Sequence, residues 1–142
     1  MPIRVGLEGA LLRGTSGTAI ASLTAVTNVK DLTLSMEKGE ADTSTRAAGG
    51  WRTTLGTLKS ATLEFSMNFD VTNADVDAFQ VAFMSNTIIA LAVLDATSGE
   101  GLIADWTVTG FSIEQPLEDT QTVSVTCKPA YVTRNPAWHT PA

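Results

Sequence analysis

Apolar and polar residues alternate along most of this chain. From Val26 to Met36 one face reads Leu32, Leu34 and Met36, and the other reads Asp31, Thr33 and Ser35. A period of two places these sets on opposite sides of a β-strand. The pattern returns in Leu63, Phe65, Met67 and Phe69, interleaved with Thr62, Glu64, Ser66 and Asn68. Ile88–Leu94 is a continuous apolar run with β-branched members, as expected of a strand buried on both faces. Between Ile103 and Glu114 the apolar parity flips at Gly110, from Trp106 and Val108 to Phe111 and Ile113. A glycine at a parity flip predicts a β-bulge. Val123, Val125 and Cys127 alternate with polar partners in a last strand, joined to the one before by a hairpin connection over 114–122. One further strand is expected near Arg4–Leu12. The pattern predicts one helix, from about Ala74 to Met84, with Thr72 or Asn73 as its N-cap and Val76, Phe79 and Phe83 as its apolar stripe. Asp75 and Asp77 fall in its first turn, where the helix dipole favours negative charge. Short strands separated by turns around a single helix predict a mainly β fold, a β-sandwich or barrel with one flanking α-helix.

One segment breaks the rhythm. Residues 36–54, MEKGEADTSTRAAGGWRTT, are polar and rich in glycine and threonine, and they lie between two core strands. Connections in compact domains are usually about 4–6 residues, and those beyond about 12–15 are usually functional or disordered. The expected loop runs over about 37–56. Glu37, Glu40 and Asp42 crowd its start, while Arg46 and Arg52 bracket Trp51 beyond Gly49 and Gly50. Tryptophan and arginine are enriched in buried interface cores, so the loop has the composition of something that orders against a partner. Acids at one end and bases at the other suit head-to-tail contact between identical subunits, which generates rings or open stacks.

Composition narrows the function. The chain has 142 residues, the size of one domain, and 44% of them are hydrophobic, enough for a core without disulfides. An extended tail is expected over about 132–142, where two prolines interrupt the pattern. The net charge of −6, with nine basic residues scattered, argues against gripping nucleic acid through clustered cations. The single cysteine excludes an intramolecular bridge. No signal peptide is recognisable, and the longest apolar run, 88–94, is far below the roughly 20 residues that cross a bilayer. The expectation is a soluble protein made in a cytoplasm, without a membrane partner.

Candidate chemistry is sparse. His139, the one histidine, lies in the tail, where a general base would not be held in place. Cys127 shares the apolar face with Val123 and Val125 and reads as a small buried hydrophobe. Glu37, Glu40 and Asp42 lack the alternating ligand spacing of a calcium loop despite Gly39. Asp75 and Asp77, two apart on a helix, do not face each other. Gly9, Gly14 and Gly17 make no phosphate loop. No catalytic set, metal site or cofactor is expected, and the chain reads as a non-enzyme.

The strand Val29–Met36, the loop from Gly39-Glu-Ala-Asp42 through Gly49-Gly-Trp-Arg52, the strand Leu58–Met67 and the Asp70–Asp75 lead into the helix together resemble the major tail tube protein of long-tailed phages. The resemblance covers roughly Val26 to Lys128. It implies the tail tube fold and hexameric rings stacked into a hollow tube, with an acidic inner surface past which DNA slides without specific binding. It also implies a loop that reaches a neighbouring subunit or ring, other tail proteins as partners, and residence in the virion tail after assembly in the host bacterial cytoplasm. On that reading Glu37, Glu40, Asp42, Arg46, Gly49, Gly50, Trp51 and Arg52 form the inter-subunit loop, and Asp31 and Glu64, on the polar strand faces, are candidates for the acidic lumen lining. Two other readings are a monomeric β-barrel that binds a small ligand and the tube protein of a contractile secretion system, which shares the fold.

Overall fold

The strands that alternation predicts form, and they join into one curled sheet. The computed structural model describes residues 5–130 and 134–141. Among them the strands are β1 (Ala10–Thr15), β2 (Thr24–Ala25), β3 (Val29–Asp42), β4 (Thr54–Asn68), β5 (Ile89–Leu94), β6 (Gly101–Glu114), β7 (Thr122–Pro129) and β8 (Ala137–His139), with the helix α1 (Ala74–Ser85) between β4 and β5. The strand order is β2-β1-β5-β6-β7-β4-β3, with β8 added on β6, and every pairing is antiparallel. The sheet bends into a half-barrel with the helix against it.

One face of the sheet carries the core. Leu63, Phe65 and Met67 of β4 stand in register with Cys127, Val125 and Val123 of β7. Trp106, Ala104, Leu91 and Leu11 continue the apolar layer through β6, β5 and β1. The helix closes it with Val76, Phe79 and Ala82, and the Phe79 ring meets Phe65 edge-on at 5.0 Å. Trp106 is fully buried and its indole N–H donates to the Leu91 carbonyl at 3.2 Å, so the largest core side chain leaves no polar atom unpaired. The predicted stripe is right at Val76 and Phe79. Phe83 is the exception: it lies at the rim, 38% exposed and stacked on Phe111, and Ala82 takes the inward position.

Local chemistry sets the helix ends. The Asn73 side chain accepts from the Asp75 and Val76 N–H groups at 2.9 and 3.3 Å, which selects Asn73 over Thr72 as the cap. Thr72 instead donates its hydroxyl to Asp70. Asn86 ends the helix in the left-handed region. Arg13 of β1 reaches Asp75 at 2.8 Å and ties the first turn to the sheet. The expected bulge appears as a register shift between Val108 and Gly110.

Three expectations are revised. The strand expected near Arg4–Leu12 occupies Ala10–Thr15, and Arg4 lies outside the described residues. The loop expected over about 37–56 is a β-ladder at both ends: β3 continues to Asp42 and β4 begins at Thr54, leaving 43–53 as the turn. Period-two alternation is lost there because both faces of this stretch meet solvent, so the backbone pairs without an apolar signature. In the tail, Ala137–His139 pairs with Gly101–Ile103, so His139 sits in a ladder opposite Gly101. Residues 132, 133 and 142 of that tail lie outside the described residues.

A second, smaller core lies on the other face, where Leu12, Ala92 and Leu94 are covered by Ile20 and Leu23. Beside it Asp105 is buried, and its Oδ1 accepts from the Gly17 N–H at 2.9 Å and from Arg134 Nη2 at 2.7 Å. Arg134 also donates to the Thr18 carbonyl at 2.6 Å. This ion pair fastens the stretch after β7 and the turn after β1 to the same point of the sheet.

Candidate functional site

The β3–β4 hairpin is far longer than the sheet it belongs to. β4 is paired with β7 only over Leu63–Asn68, yet its ladder with β3 continues to Asp42 and Thr54. From Met36 outward the hairpin is an arm of two strands alone. At about 3.3 Å per residue its shaft reaches roughly 20 Å beyond the sheet before the turn begins. The shaft holds by main-chain pairing, with a register shift between Lys38 and Glu40. Gly39 sits at that shift, where a Cβ would fall 2.5 Å from the Thr57 hydroxyl oxygen.

The tip is built by polar contacts. Thr43 N–H donates to the Thr53 carbonyl, the two threonine hydroxyls meet at 2.8 Å, and Ser44 Oγ accepts from Thr53 N–H at 2.9 Å. Asp42 Oδ1 accepts from Ser44 N–H at 2.8 Å, and the Ser44 side chain together with this N–H holds its carboxyl below the ordinary carboxylate value. Arg46–Ala48 make one 3₁₀ turn, and Gly49 and Gly50 follow at φ +67° and +86°, a reversal that only glycine makes without strain. This reversal sets Trp51 outward, 76% exposed, with Arg46 and Arg52 exposed beside it. Met36, Leu55 and Leu58 are further exposed apolar side chains along the arm.

Of the residues expected in the loop, the structure therefore divides two groups. Glu37, Glu40 and Asp42 lie on the shaft in β3, while Arg46, Gly49, Gly50, Trp51 and Arg52 lie in the turn. Asp31 and Glu64 occupy a different surface. Thr33 pairs with Glu64 and Glu64 with Thr126, Ser35 pairs with Thr62, and Ser66 with Ser124, so the face opposite the core is a continuous field of hydroxyls. Asp31 joins it through its N–H, which donates to Ser66 Oγ at 3.4 Å. Among the described residues no group of three or more His, Cys, Asp or Glu side chains is arranged to hold a metal. Burial pushes the Cys127 thiol up to about 12. Among the described residues no helix is long and apolar enough to cross a membrane.

Sequence reasoning missed the Asp105–Arg134 pair. A lone aspartate between Ala104 and Trp106 in β6, in a strand otherwise apolar there, was the available signal.

The model of the family described as phage tail tube protein matches residues 10–130. The chain belongs to that family. It is a structural tail tube protein of the virion tail. Solved tail structures share the fold. The tail of an empty gene transfer agent particle, refined with C6 symmetry, superposes with a TM-score of 0.73 at 17% identity, covering 99% of this chain and 100% of the other. The SPP1 tail tube superposes at 0.73 and 11% identity, covering 97% and 80%. The baseplate of the anti-feeding prophage gives 0.62 at 5% identity, covering 99% and 97%. No curated protein matches the chain by sequence. The tail tube matches extend over the arm as well as the body, because nearly the whole chain is covered.

Proposed function

We propose that copies of this tail tube protein close into six-membered rings that stack as a hollow conduit for DNA, with the arm bridging neighbouring subunits. The observation that carries this reading is the arm: two strands with no third layer, ending in an exposed tryptophan between two arginines. An isolated two-stranded hairpin is at best marginally stable in water. Exposed Trp51, Leu55 and Leu58 gain nothing in the lone subunit and gain burial against a second copy. The hydroxyl-rich face suits the lumen. It is wet, and it carries Asp31, Glu37, Glu64 and Glu114 with Lys128 as counter-charge, so passing phosphate is not held. Other tail proteins cap the tube, and assembly takes place in the host cytoplasm.

A monomeric ligand binder requires an open interior. Beneath the helix that space is filled by Trp106, Phe79, Leu63 and Met67, each below 2% exposure. A contractile secretion tube would share the architecture, but the family match is to phage tail tubes.

Electron microscopy of an arm-shortened chain tests the proposal. Lys38 and Lys59 are direct cross-strand partners, so replacing 39–58 by Asn-Gly closes a two-residue hairpin between them. The expected product is a folded monomer that forms no tubes where the full chain does. Tubes from the shortened chain, or a full chain that stays monomeric at high concentration, would overturn the reading.

A further inference from the structure

The end of the sheet opposite the arm is its chemical complement. The turn at the tip, 43–53, carries Arg46 and Arg52 and no acid. At the other end β4 leaves the sheet at Asn68, beside Thr122 of β7. The two connections there, 69–73 and 115–121, carry Asp70, Glu118 and Asp119 and no base. Between them opens a cleft of about 490 Å³ lined by Asn68, Phe69, Asp70, Val71, Thr120 and Gln121. Its surroundings include two large apolar side chains left in water, Val71 at 71% exposure and Leu117 at 100%. The Asp70 carboxylate accepts from the Thr72 N–H and hydroxyl, which hold it below the ordinary carboxylate value and keep it charged.

We propose that the tip of one copy seats in this cleft of the next copy, with the Trp51 indole between Val71 and Leu117 and with Arg46 and Arg52 facing Asp70, Glu118 and Asp119. The inference rests on the arm-docking reading above and adds the surface that receives it. Within one chain the contact does not form. β4 alone spans 15 residues from the arm turn to the cleft, about 45 Å of extended strand. The donor and the acceptor are therefore different patches at opposite ends of one molecule. Such a heterologous contact does not end at a dimer: it continues into a ring or an open stack. The cleft has room for an indole with its flanking side chains. The opposite charges set orientation and speed encounter, and burial of the tryptophan supplies the hold. The same pairing discourages tip-to-tip or end-to-end contact, since each would place like charges together.

Cross-linking separates this inference from the reading beneath it. Ala47→Cys places a thiol on the exposed tip and Thr120→Cys one in the cleft, while the native Cys127 is buried and does not compete. A short bismaleimide added to tubes of the double variant should give a ladder of covalent oligomers well beyond the dimer. Each single variant should give no ladder. Tubes of the double variant that yield only monomer and dimer overturn the cleft assignment, and the arm reading then stands or falls on the shortened chain alone. A charge-reversal pair supplies the second arm of the test. R46E/R52E and, separately, E118K/D119K, which leaves the Asp70–Thr72 contacts in place, should each raise the concentration needed for tubes at least tenfold without moving the monomer's melting temperature. Mixed in equal parts, the two defective chains should co-assemble better than either alone. If the first set blocks assembly and the second leaves it unchanged, the tip docks elsewhere and the inference is wrong. If neither set has an effect, it is wrong as well.

Discussion

Two tryptophans mark the difference between the body of this protein and its arm. Trp106 is wholly buried in β6, its indole N–H satisfied by Leu91, with the helix, β5 and β7 around it. Trp51 stands at the end of a two-stranded ladder with 76% of its surface in water. The body has a buried core, and the arm leaves Met36, Trp51, Leu55 and Leu58 in water. Main-chain pairing fixes the shape of the arm; on the proposed docking, side-chain burial comes only with a second copy.

Truncating the two tryptophans separates these roles with the largest expected effects. Trp106→Ala removes a fully enclosed side chain, and core aromatic truncations cost about 3–5 kcal/mol. Urea unfolding of the monomer should show that loss directly, and a change under about 1 kcal/mol would mean the core collapses around the gap. Trp51→Ala should leave monomer stability within about 0.5 kcal/mol, as exposed substitutions do, while tube formation fails in the electron microscope. The two variants should thus fail in opposite assays. A Trp51→Ala chain that melts early and still assembles would reverse the comparison.

The next effect belongs to Asp105, the one buried charged residue among the described residues. Asp105 is 2% exposed and depends on Arg134 and the Gly17 N–H. Arg134→Ala leaves a buried carboxylate with one backbone donor. Breaking such a pair from one side costs about 3 kcal/mol, somewhat less here because the arginine is partly solvated. Asp105→Asn should cost less, since the amide oxygen still accepts from Gly17 and no charge is stranded. Equal losses for the two variants in thermal melts would show that packing, and not the unpaired charge, sets the cost.

The same contrast explains what the sequence revealed. Wherever a strand has one face on the core, alternation exposes it: Leu63, Phe65 and Met67 in β4, Val123, Val125 and Cys127 in β7. The bulge at Gly110 was legible, and the cap was narrowed to Thr72 or Asn73, because each is written in local chemistry. The shaft of the arm was not. Glu37 through Asp42 and Thr54 through Lys59 pair as strands, yet both faces are wet, so no apolar period marks them. Glycine, threonine and charge then read as a loop. β8 escaped for a related reason: three residues pairing at an edge beside two prolines carry too short a pattern. For the assembly surfaces, composition pointed to Trp51 and its arginines. The acidic cleft depends on residues 68–71 and 120–121 meeting across β4 and β7, a juxtaposition that only the register supplies.

The smallest effect compares thiol chemistry at the two sites. Cys127 lies at 0% exposure in the middle of β7, and burial pushes its thiol from 9.0 to about 12. At pH 8 the thiolate, which is the reactive species, is then depleted about 10³-fold relative to a free cysteine. A cysteine installed at position 47, on the exposed tip, should react with a disulfide reagent at the rate of a model thiol. Cys127 should react only as fast as the body opens. The raised value also fixes a sign. A group whose folded pKa lies above its unfolded one stabilises the fold fully below the unfolded pKa and loses that contribution as pH rises toward the folded one. Any stability owed to the neutral Cys127 thiol is therefore intact at neutral pH and declines from about pH 9 toward 12. Replacing Cys127 with alanine should flatten that alkaline decline and leave the acid side unchanged. Fast labelling of Cys127 at pH 8 in the folded monomer would show that β7 opens readily, and the contrast between a closed body and an open arm would then fail at its centre.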